Sequence, residues 1–184
     1  MSKLNLKDLT FVTSNKNKVR EIKEILGPNI KIREINLPEI QSLNLDEVIT
    51  EKAKEAFKIV KKPIVVEDVS LEVEALKGLP GTFVKFFLQT IGTEGTAKLV
   101  GKNSTFTTVT AAFALYDGKK IKIFKGSIRG KLIKKNKGEN GFGFDKIFVP
   151  TGFKETYAQL SSELKNKISH RAKALKKLKD YLSK

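Results

Sequence analysis

Short apolar runs alternate with longer amphipathic stretches in the first part of the chain. Leu9 to Thr13 is a compact, partly β-branched run that predicts a strand. It passes directly into a Lys-rich stretch with helical spacing, about 16–26, stopped by Gly27-Pro28. Residues 30–35, IKIREI, alternate like a second strand. Asp46 is the expected cap of a helix with Val48, Ile49, Ala53, Ala56, Phe57 and Val60 on one face, ending near Lys61. Ile64-Val65-Val66 is continuously apolar, as a buried central strand is, and it delivers Glu67-Asp68 at its C-terminal end. The order βαβαβ predicts an α/β fold, a mixed sheet with helices against its faces.

Beyond Asp68 the pattern changes. Residues 71–76, LEVEAL, lead into the breaker cluster Gly78-Leu79-Pro80-Gly81. A short helix carrying Phe83, Phe86 and Phe87 is expected over 82–91, and Thr93-Glu94-Gly95 opens another that runs through Val100. Strands over 104–116 and 120–128 flank Asp117-Gly118, a two-residue hairpin signal. Residues 130–134 continue or succeed that strand, and 146–149 form a last one. Leu164, Ile168, Ala172, Leu175, Leu178 and Leu182 recur at helical spacing, with a break near His170-Arg171 and Ser169 placed as an N-cap. No repeat, low-complexity segment or linker divides the chain, so residues 1–184 are expected to form one domain.

Composition narrows the chemistry. With no cysteine and one histidine, thiolate and His-cluster metal sites are excluded. A metal here has oxygen ligands, which suits Mg²⁺ or Mn²⁺. No apolar stretch is long enough to span a bilayer, and the N-terminal MSKLNLKD lacks the apolar core of a signal peptide, so a cytoplasmic location is expected. The net charge of +16 invites a nucleic-acid reading, but the lysines are spread along the chain without a basic tail or recognition motif, so no specific nucleic-acid partner is expected. The same Lys-rich, Cys-free composition fits adaptation to heat.

Four polar clusters stand at element ends. Thr13-Ser14-Asn15 precede Lys16, Asn17 and Lys18 at a helix N-terminus, where unpaired N–H groups, the helix dipole and ammonium groups together suit polyphosphate. Glu39, in the loop LPEIQ, is followed by Lys52 on the next helix. Glu67 and Asp68 form a carboxylate pair that is costly to bury without cations. With Glu39 as a further ligand, Asp68 either holds Mg²⁺ against a triphosphate or orients and deprotonates the attacking water. The last cluster joins Phe142, Gly143, Phe144 and Asp145 to Ser169-His170-Arg171. Phe144 offers a stacking face for a base, Asp145 an acceptor for the N1–H of a 6-oxopurine, and Arg171 a donor to its O6. Taken singly, a capped helix, solvated turn carboxylates and a loop aromatic folded onto the core explain these residues as well.

Together the clusters resemble the noncanonical purine nucleoside triphosphate pyrophosphatases, the family that includes the inosine triphosphatases. The resemblance runs nearly end to end: FVTSNKNKVREIKEILG at 11–27, LPEIQ at 37–41, VVEDVSLEVEALKGLPGTFVKFF at 65–87, FKGSIRG at 124–130, GFGFDKIFVP at 141–150 and YAQLSSELKNKISHRAKAL at 157–175. It implies an elongated α/β fold with two lobes around a nucleotide cleft, usually as a homodimer. The implied reaction is Mg²⁺-dependent hydrolysis of ITP, dITP or XTP to the monophosphate and pyrophosphate. By the same resemblance Thr13 to Lys18 and Lys52 grip the triphosphate, Glu39 and Asp68 hold the metal, and Asp68 accepts a proton. Phe142 to Asp145, Lys165, His170 and Arg171 then surround the base, with Val69 beside the acidic pair.

Two positions depart from the family pattern. Ser14 stands where many members have glycine, and Val69 where many have Ser or Thr, which leaves only a backbone N–H next to Asp68. Two other classes compete with the enzyme: a nucleotide-binding module without turnover, and a basic protein that binds nucleic acid.

Overall fold

Two sets of apolar positions, one on each face of a single sheet, organise the molecule. The computed structural model describes residues 4–102 and 105–183. The first three residues of the N-terminal segment, and position 104 at the start of an expected strand, lie outside the described residues. In chain order the elements are β1 (Thr10–Val12), α1 (Lys16–Leu26), β2 (Lys31–Arg33), α2 (Leu45–Val60), β3 (Ile64–Val73), β4 (Pro80–Gly81) and α3 (Val84–Thr90). Next come α4 (Gly92–Lys98), β5 (Phe106–Tyr116), β6 (Ile121–Leu132), β7 (Phe148–Pro150), α5 (Ser162–Ile168) and α6 (His170–Ser183).

The sheet is mixed, as expected. Its seven strands run β2-β1-β3-β5-β6-β7, with the short β4 paired to β3. β1 lies parallel to both β2 and β3, while β5, β6 and β7 form antiparallel pairs. Leu9, Phe11, Val65, Leu71, Phe113, Leu175 and Leu178 belong to the larger core, and Val12, Ile49, Ala53, Ile64, Val66 and Ala114 to the smaller core. Because successive strand residues point to opposite faces, β3 feeds both cores: Val65 into the larger, Ile64 and Val66 into the smaller. Gly126 on β6 lets α6 approach closely, since a Cβ there would collide with the backbone at His170 and Ala174.

Several expectations need correction. β3 does not end at Val66; it runs to Val73, because Val69, Leu71 and Val73 keep the alternation and stay buried. Glu67 and Asp68 therefore sit within a strand, just past the point where its parallel partner β1 ends at Val12. The cap of α2 is Asn44, whose Oδ1 accepts from the Asp46 N–H at 3.0 Å, so Asp46 occupies the first turn instead. Ser169 does cap α6, accepting from the Ala172 N–H at 3.1 Å. β5 and β6 form the expected hairpin, but Tyr116 pairs with Ile121, so the connection is the four residues 117–120 and not Asp117-Gly118 alone. Among the described residues no helix is long and apolar enough to cross a membrane.

Candidate active site

The turn from β1 into α1 forms one end of the site. Asn15 caps the helix: its Oδ1 accepts from the N–H groups of Asn17 (3.0 Å) and Lys18 (3.2 Å), and Thr13 Oγ1 accepts from the Asn15 N–H (3.2 Å). Two N–H groups expected to be open are thus occupied, because Asn is among the strongest N-caps. The dipole and the ammonium of Lys18 remain. That ammonium lies 4.0 Å from Glu67 Oε2, and burial lowers its pKa against the pull of Glu67.

The acidic pair is split by the strand pleat. Glu67 shares the face of Val65 and is 3% exposed; its Oε1 accepts from Arg171 Nε at 2.9 Å and lies 2.7 Å from Nη2. Asp68 points to the other face, towards α2, where Lys52 Nζ lies 3.0 Å from its Oδ2 and 2.6 Å from Glu39 Oε1. Asp68 Oδ1 accepts from the Val69 N–H at 2.7 Å, so that N–H is engaged rather than open. Burial pushes the Asp68 carboxyl up, but Lys52 and Lys18 outweigh it and hold the group below its ordinary value. Lys52 is raised in turn, because Asp68 and Glu39 outweigh the effect of its own burial.

A buried ionic cluster forms the other end. Asp145, 2% exposed, receives the Lys165 ammonium and the Phe142 N–H (2.7 Å) on the same oxygen, Oδ2. That leaves Oδ1 for a ligand. Burial pushes its carboxyl up, opposed by Lys165. Gly141 makes this loop possible: its φ is +76°, and a Cβ there would strike the Asp145 carboxylate. Arg171 Nη1 holds Glu21, whose other oxygen lies 2.7 Å from Lys165 Nζ. Glu21 is held low because Arg171 and Lys165 overcome its burial. Three buried carboxylates thus face three cations, Lys18, Lys165 and Arg171, which is the condition for burying them at all. With Nε, Nη1 and Nη2 each engaged, Arg171 meets a ligand only through a remaining terminal N–H.

The aromatics divide. Phe144 is 8% exposed and belongs to the larger core, against Phe148 and His170 with ring centroids 6.2 and 5.8 Å away. Of the two readings of Phe144, the structure bears out the loop aromatic folded onto the core, although the residue still borders the cavity. Phe142 is half-buried, with Lys165 Nζ 5.1 Å from its ring centroid. His170 stacks on Tyr157, and its burial, reinforced by Arg171 and Lys165, keeps it neutral.

These groups meet around one cavity of about 530 Å³, within the range of small-molecule sites. Its walls include Thr13 to Asn15, Asn17, Lys18, Glu39, Lys52, Asp68, Val69, the Phe142–Asp145 loop, His170 and Arg171. It opens beyond the carboxyl end of β1, where ligands bind in open α/β sheets. Of the residues expected, Lys16 is outside the wall and Lys165 stands behind it, supporting Asp145. Sequence reasoning missed Glu21, the centre of the ionic cluster, and the α3 wall with Lys85 and Gln89. Neither carries a local signal: Glu21 acquires its role only from Lys165 and Arg171, which lie far along the chain.

A sequence model of the Ham1 family matches residues 9–181. The chain is 41% identical over 182 residues to the inosine triphosphate pyrophosphatase of Schizosaccharomyces pombe, covering 96% of each. It is 40% identical over 178 residues to the dITP/XTP pyrophosphatase of Thermococcus kodakarensis, covering 95% of this chain and 96% of the relative. The structure of a HAM1 protein from Coxiella burnetii superposes with a TM-score of 0.78 at 25% identity, covering 95% of this chain and 98% of that one. The Staphylococcus aureus Ham1 protein does so with 0.73 at 26%, again covering 95% and 98%. A match over nearly the whole chain, to sequences and structures alike, makes this protein a member of the Ham1 family.

Proposed function

We propose that this chain hydrolyses ITP, dITP and XTP to the nucleoside monophosphate and pyrophosphate, clearing deaminated purines from nucleotide pools. One observation carries the reading: a single cavity joins a cationic helix N-terminus and the carboxylates of Glu39 and Asp68 to a buried carboxylate with one oxygen to spare. The names of the relatives at about 40% identity point to the same substrates.

The triphosphate lies at the α1 end, where Thr13, Ser14 and Asn15 donate hydrogen bonds and Lys18 and Lys52 balance charge. Glu39 and Asp68 suit Mg²⁺: two hard oxygen donors at the cavity wall, with phosphate and water oxygens completing the shell as that ion prefers. When bound, the cation neutralises charge on the phosphate oxygens. Asp68 remains a carboxylate near neutral pH and orients the water that attacks the α-phosphorus. At the far end the base lies against Phe142, and Asp145 Oδ1 accepts its N1–H. Adenine presents an acceptor at that position and leaves Asp145 unsatisfied. Family resemblance supports a homodimer, and the sequence pattern supports a single domain located in the cytoplasm.

Product analysis with ITP, XTP, GTP and ATP, each with Mg²⁺ and with EDTA, tests this reading. IMP and pyrophosphate from ITP, little turnover of ATP and none in EDTA are expected. IDP with orthophosphate, or equal turnover of ATP, overturns it.

A further inference from the structure

Lys52 occupies an unusual place for a residue that serves the phosphates. Its ammonium lies between two carboxylate oxygens, 2.6 Å from Glu39 Oε1 and 3.0 Å from Asp68 Oδ2. Those two side chains are the oxygen donors that suit a divalent cation. A cation bound there draws on the same oxygens, at about 2.0–2.1 Å for Mg²⁺, so it meets the ammonium at close range, and the two carboxylates cannot neutralise both cations.

We propose that Lys52 is an interlock that makes divalent-cation binding at Glu39 and Asp68 conditional on nucleotide. Without nucleotide the ammonium satisfies both carboxylates and opposes the metal. A triphosphate brings several negative charges and acceptor oxygens into the same cavity. The four-carbon stem of Lys52 then lets the ammonium shift from carboxylate to phosphate, which frees the carboxylate oxygens. Metal and nucleotide consequently bind with positive coupling, and each raises the affinity for the other by the same factor. The arrangement keeps free metal from filling the site in the absence of substrate. Lys18, the other cation in this wall, pairs with Glu67 and acts on Asp68 only through space, whereas Lys52 hydrogen-bonds both carboxylates directly. The proposal rests on the reading of Glu39 and Asp68 as metal donors.

The test is Mn²⁺ titration of the full chain monitored by electron paramagnetic resonance, first without nucleotide and then with a non-hydrolysable α,β-methylene analogue of ITP. Wild type is expected to bind free Mn²⁺ at least tenfold more weakly than Lys52→Met, and the analogue is expected to close that gap. Lys52→Arg, which keeps the charge, is expected to bind free Mn²⁺ as weakly as wild type. Lys52→Gln supplies the same readout where Lys52→Met does not fold. Equal free-Mn²⁺ affinity in wild type and the neutral variants overturns the interlock and leaves the metal reading standing. Failure of every protein to bind Mn²⁺, even with the analogue, overturns both.

Discussion

Arg171 Nε lies 2.9 Å from Glu67 Oε1, so the first turn of the last helix is tied to the middle of the central strand across 104 positions of sequence. Both partners are almost wholly buried. Removing one leaves the other charged in the interior, at a cost of about 3–5 kcal/mol. Arg171→Met is therefore expected to lower stability by that amount in urea unfolding. Adding Glu67→Gln to it is expected to restore part of the loss, whereas independent effects would simply add.

Asp68 faces Lys52 and the cavity, not Arg171, and the proposed function gives it a chemical role. Asp68→Asn is expected to lower kcat by about 10²–10⁴-fold, the usual weight of a positioned acid or base. Nucleotide affinity, measured by calorimetry with the α,β-methylene analogue, is expected to change by less than about tenfold, roughly 1.4 kcal/mol.

Asp145 is expected to read the base. Asp145→Asn, which can present an amide donor where the acceptor stood, is expected to reduce the preference for ITP over ATP. A base contact of this kind is worth about 1–3 kcal/mol, or roughly 5- to 150-fold in the ratio of kcat/KM values. Competition between the two nucleotides reads that ratio directly, and an unchanged ratio removes Asp145 from the role.

His170 is the only histidine in the chain, which makes its titration legible. Burial holds its folded pKa well below the ordinary 6.5, so the unfolded chain takes up a proton below that pH that the folded protein refuses. Stability therefore falls as pH drops below 6.5, by up to about 1.4 kcal/mol per unit for one proton, until the lowered folded value is reached. Urea midpoints at pH 7.5 and 5.5 are expected to separate in wild type, and to draw closer in His170→Gln.

The first two strands, α1, α2 and the β5–β6 hairpin are legible in the sequence because local period and breakers specify them. β3 is legible only to Val66, because Glu67-Asp68 reads as a polar stop. The pleat instead turns the two carboxylates to opposite faces, and their partners, Arg171 and Lys52, lie 104 and 16 residues away. Spacing alone does not announce such pairs. Phe144 is ambiguous for a related reason: glycine neighbours suggest an exposed loop, and only the partners Phe148 and His170 decide for the ring folded onto the core. The lysines at the start of α1 stand out because charge beside a polar element end is a local signal, whereas Lys52, in the middle of α2, takes its phosphate role from the family resemblance. Glu21 does not stand out, since its role exists only once α5 and α6 deliver Lys165 and Arg171.

Hydrolysis of ITP in H₂¹⁸O tests the account most directly, because the label marks the phosphorus that water attacks. With Asp68 directing water to the α-phosphorus, ¹⁸O is expected in IMP, and the pyrophosphate is expected to be unlabelled. Label in the pyrophosphate, or in orthophosphate released with IDP, contradicts the account.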